Sequence, residues 1–237
     1  MWVGYGNGAI ISNNRCENNT DLGIIVGWSS NVLVTDNICN SNGEYGLVMK
    51  CCYDSTVSRN TCNNNGEYGL YGLNFFDGTV NDNSFYENKN GIYLWGDDVT
   101  FSNNIVIDSE QVGIHIEYGG FLIMWNQIIN NRIGIKFDAY TSLSNSDKLI
   151  HHNVIRGNIE YGIRNDGANN ITIHHNSFIE NNHGGFSQAF DSGLGNIWYS
   201  LSVPEGNYWS DWTSGSYWID GLSGYADLYP MDTKPVS

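Results

Sequence analysis

The sequence is poor in basic residues and contains no long apolar run. Ten lysines and arginines stand against 25 aspartates and glutamates, which gives a formal net charge of −15 at pH 7. So little positive charge provides no basic surface to neutralise phosphates, which argues against nucleic acid as a partner. No apolar stretch reaches the roughly 18 residues of a membrane-spanning helix, so no membrane span is predicted.

Cysteine and proline are also scarce. The five cysteines form no CxxC pattern, so neither a zinc site nor a disulfide framework is predicted, and we expect no cofactor. Three prolines in 237 residues, without a low-complexity break, indicate one elongated body. The first residues lack the basic start and apolar run of a signal peptide.

A glycine followed by an aliphatic residue recurs at nearly constant spacing. The glycines are Gly23, Gly46, Gly69, Gly91, Gly113, Gly134 and Gly162, in steps of 23, 23, 22, 22, 21 and 28 residues. Asparagines keep the same period, at Asn14, Asn37, Asn60, Asn83, Asn104, Asn126, Asn153 and Asn176. A repeat of about 22 residues is too short for a helical hairpin, and it is typical of one coil of a parallel β-helix.

Stacked coils align equivalent residues about 4.8 Å apart, so the repeat phase predicts each side chain's position. We expect an inward column two residues after the asparagines, at Cys16, Cys39, Cys62, Phe85, Val106, Ile128, Ile155 and Phe178. A second inward column is expected at Val34, Val57, Val80, Phe101, Ile123, Ile150 and Ile173. The asparagine column itself is predicted to be structural, with side chains that hydrogen-bond from coil to coil.

The candidate functional site lies on the strand after the repeating glycine. Two residues past the glycine, an outward column contains Tyr71, Tyr93, His115, Lys136 and Arg164. Alternation predicts a second outward column two residues further, at Trp95, Glu117, Asp138 and Asp166. Aromatic faces beside acids and bases suit a sugar, although alternating charges can also simply stabilise a sheet.

We assign candidate roles within these columns by residue type. The candidate substrate-binding residues are Tyr71, Tyr93, Trp95 and Tyr140, the last in an insertion at Ala139–Asp147 that we expect to overhang the charged columns. The candidate catalytic residues are His115, Glu117, Lys136, Asp138, Arg164 and Asp166. Neighbouring carboxylates should raise the pKa of Asp138 unless Lys136 and Arg164 offset them.

Two histidine pairs provide an alternative site. His151 and His152 are predicted to stack on His174 and His175 of the next coil, where imidazoles could hold a metal ion. Stacked surface imidazoles without a ligand are the other interpretation, since no carboxylate or second shell is evident in the sequence.

The repeat fades near the C-terminus, where the sequence becomes aromatic. We predict β-helix repeats over residues 1–192 and a capping segment over 193–237, whose tryptophans and tyrosines cover the last coil. No cap is evident at the other end, so further β-helix coils or another chain are expected to cover the first coil.

The coil pattern and the ending GNYWSDW…DLYPM resemble the carbohydrate-binding and sugar-hydrolase (NosD-type) group of right-handed parallel β-helix proteins, as found in archaeal surface proteins. The resemblance implies an all-β solenoid of about eight coils with an aromatic C-terminal cap. It also implies an extracellular or cell-surface protein that interacts with a polysaccharide, as a binding protein, a polysaccharide lyase or a glycoside hydrolase. Two alternatives stay open: a structural module of an archaeal-type envelope, and a metal-handling protein that uses the paired histidines.

Overall fold

The computed structural model describes residues 1–235, which form a parallel β-solenoid. The coils contribute strands to three parallel sheets. Neighbouring strands within a sheet come from successive coils. The first sheet follows the repeating glycines and has nine strands: β1 (Trp2–Gly4), β3 (Leu22–Ser30), β5 (Tyr45–Tyr53), β7 (Tyr68–Phe76), β10 (Asn90–Asp97), β13 (Val112–Tyr118), β16 (Ile133–Asp138), β19 (Tyr161–Asp166) and β22 (Ala189–Asp191).

The other two parallel sheets have shorter strands. The second sheet has eight: β2 (Ile10–Ser12), β4 (Leu33–Thr35), β6 (Thr56–Ser58), β8 (Thr79–Asn81), β11 (Val99–Ser102), β14 (Phe121–Met124), β17 (Lys148–His151) and β20 (Thr172–His174). The third has six: β9 (Ser84–Tyr86), β12 (Ile105–Ile107), β15 (Gln127–Ile129), β18 (Val154–Arg156), β21 (Ser177–Ile179) and β23 (Tyr208–Trp209). The predicted all-β solenoid of about eight coils is therefore confirmed.

Turns and irregular segments connect these strands, and two short regular elements lie outside the three sheets over residues 1–235. The insertion contains a 3-10 helix, η1 (Ala139–Leu143), and the C-terminal segment contains an antiparallel hairpin of β24 (Tyr217–Trp218) and β25 (Ala226–Asp227). Over residues 1–235, no helix is long and apolar enough to cross a membrane.

The core follows the two inward columns. Every member of both columns is buried, except Cys16 in the first coil, which is partly exposed. The cysteines are free thiols, and Cys39 and Cys62 pack in the column as small apolar side chains. These positions confirm that the repeat phase determines which side chains point inward.

The repeating glycines are required by close packing between coils. A Cβ atom at Gly69 would lie 2.6 Å from Cδ1 of Phe85 and 2.9 Å from the carbonyl oxygen of Gly91. The repeating glycines have no left-handed φ, so they are selected for the space that a missing Cβ leaves.

Two asparagine ladders connect the coils, and the sequence analysis found only one of them. In the predicted ladder, the backbone N–H and the side-chain amide of Asn37 both donate to Oδ1 of Asn60, at 3.0 and 2.9 Å. The same pattern repeats along the column, which confirms its structural role. The second ladder runs through Asn19, Asn42, Asn65, Asn88, Ser109, Asn131, Asn158, Asn181 and Gln188.

The aromatic C-terminal segment covers the last coil, as predicted. Trp198 and Trp209 are both 1% exposed, and the Trp209 ring stacks between Phe178 at 4.1 Å and Tyr217 at 4.0 Å. Coil pairing continues beyond residue 192, since Tyr208 and Trp209 still align with Ser177 and Phe178. The boundary at 192 stays a prediction, and residues 236–237 of the predicted cap lie outside the described residues.

Strands β1 and β2 of the first coil are the outermost strands of the first and second sheets. Large apolar side chains are exposed there, among them Trp2, Tyr5 and Ile10. Further coils or another chain at this end stay a prediction.

Candidate functional site

The predicted outward column of the first sheet forms one continuous row. Tyr71 pairs with Tyr93, Tyr93 with His115, His115 with Lys136, and Lys136 with Arg164, each in the next coil. Residues 21 to 28 positions apart in sequence therefore become direct neighbours. This register brings together the candidate catalytic residues His115, Lys136 and Arg164.

Asp138 connects two members of this row. Its Oδ2 lies 2.7 Å from Nε2 of His115, and its Oδ1 accepts a hydrogen bond from Nζ of Lys136 at 2.6 Å. The bond from His115 and the Lys136 ammonium lower the pKa of Asp138 to about 2, although partial burial opposes the shift. The sequence predicts a raised pKa for Asp138 unless Lys136 and Arg164 offset its carboxylate neighbours. The pKa is lowered instead, and the groups that lower it are His115 and Lys136, whereas Arg164 pairs with Asp166.

An ionised Asp138 determines the tautomer of His115. A carboxylate can only accept, so Nε2 of His115 must carry the proton in their hydrogen bond. In the neutral imidazole, Nδ1 is then the unprotonated nitrogen. His115 can therefore accept a proton at Nδ1 while Asp138 holds the ring.

Four tyrosines form a wall on the N-terminal side of His115. Tyr71 stacks on Tyr93 with ring centroids 4.8 Å apart, and Tyr68 contacts both rings. Tyr45 stacks on Tyr68 at 5.9 Å. Burial, and then the nearby Glu67 carboxylate, raise the pKa of Tyr68 to about 12. These hydroxyl groups are protonated at neutral pH and can donate hydrogen bonds.

Tyr93 is less available than its neighbours. It is 7% exposed, and its hydroxyl donates to Oε2 of Glu117 at 2.5 Å. Burial, with Glu117 as a second cause, raises the pKa of Tyr93. The structure therefore places the candidates Tyr93 and Glu117 in a hydrogen-bonded pair that supports the wall.

A pocket of about 330 Å³ lies beside this row, at the N-terminal ends of the strands of the first sheet. His115 and Lys136 line it, and Asp138 does not. The sequence analysis missed most of its other lining residues, among them Tyr68, Gln111, Arg132 and Glu160. In the sequence, these residues share one feature that could have identified them: each stands one or two positions before a repeating glycine, as in EYG, QVG and RIG.

Two aromatic candidates lie away from the pocket. Trp95 does not align with Glu117 as predicted, because a register shift after Leu94 pairs Trp95 with Tyr118, and their rings stack at 6.0 Å. Tyr140 follows β16, at the C-terminal ends of the strands and so on the side of the sheet opposite the pocket, and it is 58% exposed. Arg164 and Asp166 form an ion pair at 3.0 Å in the next coil, outside the pocket lining.

The insertion is attached to earlier coils. The hydroxyl groups of Ser144 and Ser146 donate to the Asp97 carboxylate at 2.8 and 3.2 Å. Thr141 donates to the carbonyl of Ile116 at 3.3 Å, and the buried Lys148 donates to the carbonyl of Ser144 at 2.8 Å. These bonds hold the insertion at the C-terminal ends of the strands of the first sheet, so it does not cover the pocket.

The histidine pairs stack as predicted. His151 lies over His174 at 5.6 Å, and His152 over His175 at 5.1 Å. Within each pair the Nδ1 atoms are 2.7 Å apart, a hydrogen-bond distance. Burial, and then neighbouring imidazoles, lower the pKa of His151 and His174 to about 4. In the part of the chain that the structure describes, no group of three or more His, Cys, Asp or Glu side chains is placed to hold a metal ion, against the metal alternative.

Family models match this sequence along most of its length. The model described as "Periplasmic copper-binding protein (NosD)" matches residues 77–214, more than half of the chain. The chain belongs to the NosD family. A second model, described as "Right handed beta helix region", matches residues 1–106 of the NosD-family chain and agrees with the predicted handedness.

Two solved structures resemble the NosD-family chain. The periplasmic alginate epimerase AlgG shares 16% identity at a TM-score of 0.62, over 84% of this chain and 46% of that one. The A-module of the Azotobacter vinelandii mannuronan C-5 epimerase AlgE6 shares 12% identity at a TM-score of 0.50, over 87% of this chain and 65% of that one. At these identities the likeness establishes the fold alone. No curated protein matches the sequence.

Proposed function

We propose that this protein binds a polysaccharide in the pocket and along the outer face of the first sheet. The observation that carries the proposal is the convergence of Tyr68, His115 and Lys136 in one pocket of about 330 Å³. Aromatic rings pack against sugar rings, and directed polar groups bind hydroxyls. Concave sites with perturbed titratable groups are the usual location of function in a fold.

The length of the face supports a polymer as the ligand. Tyr45 and Arg164 lie on strands β5 and β19, which are separated by five steps in the first sheet. At about 4.8 Å per step, the row extends over roughly 24 Å, which accommodates several sugar units. The alginate and mannuronan epimerases named above share the fold, and their substrates support a carbohydrate ligand by analogy.

Proton abstraction from a bound sugar is the reaction that the site supports best. Hydrolysis of a glycosidic bond ordinarily uses a pair of carboxyl groups, whereas Glu160 is the one carboxylate among the residues that line the pocket, and it is paired with Arg132 at 2.7 Å. His115 can accept a proton at Nδ1, with Asp138 holding its ring. We therefore place lyase-type chemistry ahead of hydrolysis: the base takes a proton from a sugar carbon, a C=C bond forms as the glycosidic C–O bond breaks, and the departing oxygen takes a proton from water.

We also propose that the protein acts outside the cytoplasm, where polysaccharides are found. The family description names a periplasmic protein, which supports this location. The same description names copper, but the paired histidines bond to one another and form no ligand group of three. Metal handling is therefore not part of the proposal.

The test is a screen of neutral and acidic polysaccharides for binding, for absorbance at about 235 nm from unsaturated products, and for new reducing ends. We expect Lys136→Ala and His115→Ala to weaken binding or slow cleavage about tenfold or more, since each removes a polar group that lines the pocket. Arg59→Ala is the matched control, because Arg59 pairs with Asp36 on a turn away from the first sheet. Unchanged binding in both pocket variants would reject the proposal.

A further inference from the structure

Arg132 lies in the pocket lining, two residues before Gly134 on the turn that enters β16. Its Nε donates to Oε1 of Glu160 at 2.7 Å, and its side chain is 59% exposed. Glu160 is the one side chain recorded as bonding this guanidinium over residues 1–235. The two terminal nitrogens of Arg132 are thus available to a ligand while Nε is held.

The pocket differs in charge from the rest of the molecule. Two basic side chains, Arg132 and Lys136, line it together with His115, against the single carboxylate of Glu160. The whole chain has 25 acidic and 10 basic residues. The carboxylates that hold Lys136, those of Asp138 and Asp166, stand outside the lining. With two basic side chains and one carboxylate, the side chains that line the pocket have a net charge of +1, on a protein whose net charge is −15.

We propose that the pocket recognises a sugar carboxylate and that Arg132 binds it, so that the ligand is a polyuronate. This inference rests on the proposed function and specifies its substrate class. A guanidinium offers a planar pair of N–H donors that matches the two oxygens of a carboxylate, which an ammonium group cannot reproduce. Glu160 orients that pair by fixing Nε, and Lys136 adds a second positive charge nearby.

The experiment compares each of several polyuronates with the neutral polymer made by reducing its carboxyl groups. The polyuronates are poly-mannuronate, poly-guluronate, polygalacturonate and a glucuronan, and binding is measured by calorimetry at low ionic strength. We expect wild type to bind at least one polyuronate about tenfold more tightly than its reduced counterpart. Arg132→Gln should remove that preference and leave binding of the reduced polymer unchanged, with Arg132→Lys between the two.

Arg156→Gln is the matched control, since Arg156 is an exposed arginine at the end of β18 in the third sheet. Circular dichroism and the melting temperature check that each variant folds. Equal binding of both polymers by wild type, or an unchanged preference in Arg132→Gln, would overturn this inference and leave the proposed function standing. Failure of wild type to bind any polysaccharide would overturn both.

Discussion

Asp138 governs the protonation of the site because one carboxylate contacts two different groups. His115 bonds to one oxygen and Lys136 to the other. Their combined effect keeps the carboxylate ionised far below neutral pH. In the proposed site, Asp138 is therefore a positioning residue, which holds the side chains of His115 and Lys136.

The stacked histidines make stability depend on pH. Their lowered pKa means that His151 and His174 are neutral in the fold, whereas the unfolded chain binds protons near pH 6.5. The unfolded state thus binds more protons between about pH 6.5 and pH 4, so their stabilising effect is complete above 6.5 and is lost as the pH falls.

We predict that the free energy of unfolding falls by about 1 kcal/mol for each of these two half-buried histidines between pH 7 and pH 4.5, after allowance for their partial solvent exposure. His151→Gln with His174→Gln should flatten this dependence in calorimetric melts. His183→Gln, at an exposed turn, is the control and should follow wild type. Parallel pH curves for the double variant and wild type would contradict the prediction.

At the scale of the element, the coils depend on ladders of one residue type. In the second ladder, Ser109 stands where the other coils supply an asparagine or glutamine. Its backbone N–H donates to Oδ1 of Asn131 at 2.9 Å, but its buried Oγ has no hydrogen-bond partner among residues 1–235. The ladder is therefore interrupted at one coil, and a buried hydroxyl is left unsatisfied there.

We predict that Ser109→Asn stabilises the protein by about 1 kcal/mol, because the new side chain supplies the missing acceptor for Asn88 and a donor toward Asn131. Urea unfolding measures the change. Ser109→Ala separates the two effects, since it removes the unsatisfied hydroxyl without restoring the ladder, and it should fall between wild type and Ser109→Asn. A destabilised Ser109→Asn would mean that the coil cannot hold the larger side chain.

The sequence repeat predicts the sheets and the columns because each repeat forms one coil, which places its strands beside those of the preceding coil. It predicts His115, Lys136 and Arg164 as neighbours for the same reason. It misses the side of the pocket formed by residues such as Arg132 and Glu160, which lie on turns before the strands, where backbone geometry is not set by alternation. It also misplaces Trp95, because a one-residue register shift leaves no mark in the repeat.

At the scale of the whole molecule, the cap ends both the core and the first ladder. Asn207 continues the ladder from Asn176, and its backbone N–H donates to the buried Asp227 at 2.6 Å. Trp209 donates to the same carboxylate oxygen at 2.9 Å. The Asp227 side chain thus accepts the hydrogen bonds that a side chain of a further coil would otherwise accept.

We predict that Trp209→Ala costs about 3 to 5 kcal/mol, because it removes a buried ring that stacks on Phe178 and Tyr217. Since each coil of a solenoid contacts only its neighbours, hydrogen exchange should accelerate most in β20 and β21 and least in β3. Trp218→Ala is the control, because Trp218 is 69% exposed and its loss should change stability by less than about 0.5 kcal/mol. Uniform acceleration along the chain would contradict the prediction.

The strict register between coils also bears on how such proteins diversify. Buried columns, glycines and amide ladders maintain the scaffold, whereas outward residues such as His115 and Arg132 are not part of that framework. A lineage can therefore exchange one outward rung at a time without passing through an unstable intermediate. The same scaffold can thus present different chemistry on its outward face, so shared architecture does not by itself predict shared chemistry.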